Sequence, residues 1–153
     1  LKIKFHYQQR PPCKAREFII NSLASAISEL IELPESIEIC LYNLDKNMFG
    51  GIDRYIHNRI GINYSLELID IPRILAHELL HMHQMHTGLL CIKNDIYYWQ
   101  GIPYHNVNKE ESYQSYKSSP WETDVDTRVD KLLIDAIELT KKKQSAKFDN
   151  KST

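Results

Sequence analysis

The sequence predicts a single α+β domain. Three stretches, residues 15–33, 71–87 and 120–143, repeat apolar residues with the period of a helix, and short segments between them alternate apolar and polar residues as strands do. A chain of 153 residues with 42% hydrophobic composition fills one modest core and leaves no room for a second domain.

Each element has its own signal. Residues 2–7 set Ile3 and Phe5 between lysines, the pattern of an edge strand, and QRPPC stops it. Ile20, Leu23, Ile27, Leu30 and Ile31 then keep one helical face as far as Pro34. In SIEICLYNL, Ile37, Ile39 and Leu41 alternate as a strand with one buried side. FGGID reads as a turn and RYIHNRIGINYS as a second strand antiparallel to the first, so the expected sheet is short and mainly antiparallel.

Asp70 can cap the next helix, Pro72 suits its first turn, and Gly88 follows its last periodic residue. LLCIKNDIYYWQGIPY reads as a hairpin turning at residues 93–95, and residues 106–119 as a polar loop. Pro120 opens a last helix that turns Val125, Val129, Leu132, Leu133, Ala136 and Ile137 inward. Lys141, Lys142 and Lys143 place cations at its end, and residues 144–153 read as a disordered tail beyond the domain, residues 1–143.

Composition excludes several function classes. The net charge is −1 and the nineteen Lys and Arg are scattered, so no nucleic-acid partner is expected. Cys13, Cys40 and Cys91 are odd in number, far apart and outside any C-x-x-C unit, as reduced, part-buried thiols are. No apolar run reaches membrane-spanning length and LKIKFHYQQR is no signal-peptide core, so no membrane is expected and the cytoplasm is the expected compartment. The first residue is Leu, which leaves room for an upstream segment.

The chemistry concentrates in LAHELLHMHQMHTG, which holds His77, His81, His83 and His86. His77, Glu78 and His81 form H-E-x-x-H. On a helix, residues four apart share a face, so both imidazoles can point at one ion, about 2.0–2.1 Å from each nitrogen. Glu78 is rotated about 100° around the axis, so its carboxylate reaches a metal-activated water without ligating the metal. The metzincin pattern would need Gly at 84 and His at 87, where this chain has Gln84 and Thr87. His83 and His86 point to other faces and read as surface residues.

Glu122 and Asp126, one turn apart at the start of the last helix, are the acids that can supply a third ligand and its support. Spacing alone leaves them equally readable as exposed first-turn carboxylates.

LAHELLHMHQMHTG, YWQGIPY and SPWETDVD occur in the order H-E-x-x-H, W-x-G-x-x-Y, P-W-E. Over roughly residues 37–130 the chain thereby resembles the minimal gluzincin-type zinc metallopeptidases, the minigluzincin and SprT-like domains of phages and prophages. The resemblance implies a small zincin-like fold: an N-terminal helix, a short sheet, the H-E-x-x-H helix, a hairpin, and a C-terminal helix that brings the third ligand. It implies one Zn2+ held by His77, His81 and Glu122, with Glu78 as general base and acid. It also implies that Asp126 holds a ligand histidine. Trp99, Gly101, Tyr104 and Trp121 match family positions, where aromatic packing is their expected part. Asp124 and Val125 depart from the Glu-Ala that many relatives carry there.

A second donor for the developing oxyanion is also needed. Tyr104 and His105 are the leading candidates, with Tyr113, Tyr116 and His57 behind them. The resemblance makes RIGINYS the strand with which a peptide substrate pairs. The expected function is a zinc endopeptidase acting on a protein in the same cell, which is the cytoplasm of a phage-infected or prophage-bearing host if the phage resemblance holds. A zinc-fold binding module without turnover is the alternative. SprT-like processing of DNA-bound proteins is a third, disfavoured by the flat charge.

Overall fold

Residues of alternating burial, Lys2–Tyr7, form β1, and β2 (Ser36–Tyr42) repeats the pattern with Ile37, Ile39 and Leu41 buried. The two strands run parallel, which requires a crossover, and α1 (Lys14–Ile27) supplies it. This computed structural model describes residues 1–8, 11–42, 49–53, 56–104 and 117–149. α1 ends earlier than its apolar pattern. At Ser28 the N–H and the hydroxyl donate back to the carbonyls of Ala24 and Ser25, and Leu30 and Ile31 follow outside the helix.

Two strand expectations are corrected. β4 (Arg59–Asn63) pairs parallel to β2, not antiparallel, in the register Cys40 to Gly61. Its residues from Ile60 to Asn63 are all buried, and a strand buried without alternation suits the interior of a sheet. FGGID does not simply turn: β3 (Gly50–Ile52) pairs antiparallel with β4 and closes the order β1-β2-β4-β3. The larger sheet is therefore mixed rather than mainly antiparallel, and among the described residues the edge strand beyond β4 is β3.

α2 (Ile71–His86) packs against α1, β3 and β4. Its end is as expected: the Thr87 N–H bonds to the His83 carbonyl and Gly88 takes a φ of 76°, a left-handed conformation that glycine adopts at no steric cost. The core lies between Ile37, Ile39, Leu41, Ile60 and Ile62 of the sheet and the apolar faces of the helices, including Leu75 and Leu79 of α2. Burying each such side chain contributes about 1.5–3 kcal/mol.

The expected hairpin has three strands. β5 (Leu90–Lys93), β6 (Ile96–Trp99) and β7 (Ile102–Tyr104) form a separate antiparallel sheet. Asn94 and Asp95 (φ 51° and 60°) make the first turn, and Gln100 and Gly101 (φ 50° and 81°) the second. Two successive positive φ angles give the turn whose twist matches a tight hairpin.

α3 (Pro120–Asp149) begins where Pro120 predicted. Val125, Val129, Leu132 and Ala136 are buried, Leu133 is half-buried, and Ile137 is exposed. The helix runs on to Asp149, into the stretch expected to be a disordered tail, and Lys143 pairs with Glu29 just after α1. Cys13, Cys40 and Cys91 are free thiols, each half-buried. Among the described residues, no helix is long and apolar enough to cross a membrane.

Candidate metal centre

Four-residue spacing on α2 stacks His77 above His81, with ring centroids 4.8 Å apart and the two Nε2 atoms 3.2 Å apart. The second sheet brings the third group to them. Trp121, buried on the first turn of α3, stacks on Tyr97 at 5.1 Å and meets Tyr104 edge-on at 5.7 Å. With Trp121 so held, Glu122 turns into the space beside α2. Its Oε1 lies 2.9 Å from His81 Nε2 and its Oε2 lies 3.6 Å from His77 Nε2.

These separations fit a metal. Donors about 2.0–2.1 Å from a tetrahedral ion stand roughly 3.3–3.4 Å from one another; the two Nε2 atoms, 3.2 Å apart, are near that value, and Glu122 turns one carboxylate oxygen toward each histidine. His77, His81 and Glu122 offer one ligand atom each, all within 4.8 Å of one another, and can hold a metal ion.

The electrostatics are those of a buried site. The Glu78 carboxyl is pushed up to about 7, chiefly by burial; His81 opposes the rise and the Glu122 charge adds to it. Glu78 is 6% exposed and makes no hydrogen bond among the described residues, which is why its charged form is disfavoured. Burial, then the neighbouring His81, lowers the His77 pKa against the pull of Glu122. For His81 burial is outweighed by the hydrogen bond to Glu122 and by its charge, and the net direction is upward.

Two residues of the site were not foreseen. Gln84, fully buried on α2, sets its Oε1 3.0 Å from His81 Nδ1. Its amide nitrogen donates to the Trp121 carbonyl at 2.9 Å and to Asp124 Oδ2 at 2.8 Å. Asp124 is held in turn by Arg128 at 3.0 Å. Gly50 on β3 is the other: a Cβ there would lie 2.8 Å from Glu78 Oε1 and 3.1 Å from Ile74 Cγ2. The i,i+3 spacing from His81 is the signal that could have found Gln84. Gly50 had none, because its neighbour comes from another element.

The other candidates lie elsewhere. His83 Nδ1 is 2.9 Å from the Glu32 carbonyl oxygen and His86 Nε2 is 3.8 Å from the Glu32 carboxylate, so neither joins the cluster. Asp126 is exposed and reaches His77 only through its charge; the ring contact expected of it is made by Gln84 instead. Tyr104 packs on Trp121, and His57 lines an open groove with Pro34, Met85 and His86 at the far end of α2. His105, Tyr113 and Tyr116 lie outside the described residues. RIGINYS is corrected as the substrate-pairing strand: β4 has neighbours on both sides, and among the described residues β3 occupies the edge beside α2.

Compared with known proteins, the chain matches no family model, no curated sequence and no solved structure.

Proposed function

We propose that the chain is a zinc-dependent endopeptidase. The observation that carries this reading is the cluster of His77, His81 and Glu122, which offer one ligand atom each within 4.8 Å of one another, with Glu78 buried on α2 beside the two histidines. Two imidazoles and a carboxylate suit zinc better than a cation that prefers oxygen, and three protein donors leave a fourth position for substrate chemistry. Zinc held there supplies a Lewis acid for the scissile carbonyl and brings bound water to near-neutral acidity.

Glu78 is the general base. Its carboxylate takes the proton of the attacking water and returns it to the leaving amine. Glu122 and the two histidines stay fixed while this happens, because α2, α3 and the second sheet pack around them. A peptide finds its place along β3, which among the described residues has β4 on one side and no second neighbour. Backbone hydrogen bonds to that edge hold the substrate without selecting side chains, and Gly50 keeps the edge close to Glu78.

A zinc-fold binding module is the second reading. What favours it is that the described oxyanion candidates, Tyr104 and His57, are engaged or distant. Glu78→Gln separates the two. The peptidase reading expects wild type to cut unfolded protein, and the variant to keep Zn2+ and lose cleavage about 10²–10⁴-fold. Zinc binding by a wild type that cuts nothing overturns the peptidase reading and leaves the module.

A further inference from the structure

The hydrogen bonds around Gln84 admit one arrangement. The Trp121 carbonyl and the Asp124 carboxylate can only accept, so the amide nitrogen of Gln84 faces them both. The amide oxygen then faces His81 Nδ1 and accepts, which places a proton on Nδ1. Nε2 is left as the nitrogen to be offered to a metal, and it is the one that faces His77 and Glu122. All three hydrogen bonds of the amide run between α2 and α3 or within the site, and Trp121 and Asp124 flank the ligand Glu122 in sequence.

Resting on the metal reading above, we infer that Gln84 is the positioning residue of the centre. One amide fixes the ring of His81 and ties it to the turn of α3 that carries Glu122. Asp126 is exposed and does not share this task. The group at 84 must be an amide. A glutamate there would present oxygen to the Trp121 carbonyl and to Asp124, replacing two attractions with two repulsions. This reverses the order expected where a carboxylate supports a metal-bound histidine, since glutamate would then serve at least as well.

The test uses the full chain and Zn2+ alone, with affinity read by chelator competition for wild type, Gln84→Met, Gln84→Glu and Asp126→Asn. Both Gln84 variants should bind Zn2+ about 10–100-fold more weakly, and Asp126→Asn within about threefold of wild type. In the Zn2+ form of wild type, nitrogen-15 NMR should show His81 Nδ1 protonated and protected from solvent exchange, with Nε2 on the metal. A merely structural Gln84 would lower the melting temperature of its variants without requiring that protected proton.

Gln84→Glu binding as tightly as wild type overturns the inference, as does Asp126→Asn losing more than Gln84→Met. If the Gln84 variants do not fold, the wild-type spectrum decides: Nδ1 on the metal, or an unprotected Nδ1 proton, overturns it. These outcomes leave the metal reading standing. A wild type that takes up no Zn2+ overturns both.

Discussion

Gly50 of β3 and Glu78 of α2 touch: a Cβ at position 50 would lie 2.8 Å from Glu78 Oε1, closer than real Cβ atoms come. The same Cβ would lie 3.1 Å from Glu78 Cγ and from Ile74 Cγ2, so Glu78 is the side chain that must move. Gly50→Ala should displace Glu78 and lower kcat/KM by about 10–100-fold, since an ångström of misplacement in a reacting group costs on that order. Zn2+ content should stay that of wild type, because no ligand moves. Equal activity of Gly50→Ala and wild type would mean that Glu78 is not positioned by this strand.

Glu78 also gives the metal-free protein a pH dependence. Its folded pKa, about 7, lies above the ordinary value of 4.5, so between these values the folded chain holds a proton that the unfolded chain has released. Stability therefore falls as pH rises through that window, by up to about 3 kcal/mol at 1.36 kcal/mol per unit. Gln at 78 has no charge to bury. Urea unfolding of the metal-free proteins should show Glu78→Gln gaining on wild type between pH 5 and pH 8; a constant difference would contradict the burial of a charge at 78.

Trp121 joins the second sheet to the site. Trp121→Ala removes the stack on Tyr97 and the edge contact with Tyr104, and should cost about 3–5 kcal/mol in urea unfolding. Zn2+ affinity should fall with it, because Glu122 is the next residue. Trp121→Phe keeps an aromatic ring and should lose less of both. Unchanged affinity in a folded Trp121→Ala would show that the second sheet does not place Glu122.

The legible parts of the site were those that depend on local spacing. His77, Glu78 and His81 follow from helical geometry alone, and Gly88 ended α2 where the sequence placed it. Glu122 needed the order of three separate motifs, because its neighbours come from another helix. The parallel pairing of β4 was missed because the choice between β2 neighbours is made by long-range burial; the unbroken run from Ile60 to Asn63 was its only local trace. Gly50 and Gly51 suggested a turn, the usual use of paired glycines, whereas at Gly50 the missing side chain makes room for Glu78. Gln84 was overlooked beside four histidines, although two of its three partners lie on α3 and no local pattern names them.

The central claim is that one metal ion is held by His77, His81 and Glu122. The most direct measurement is Zn2+ stoichiometry of purified wild type, Glu122→Ala and His86→Ala side by side, with folding checked by circular dichroism. The account predicts one Zn2+ per chain in wild type and His86→Ala, and weak or no retention in folded Glu122→Ala. Zinc lost from His86→Ala and kept by Glu122→Ala would contradict it.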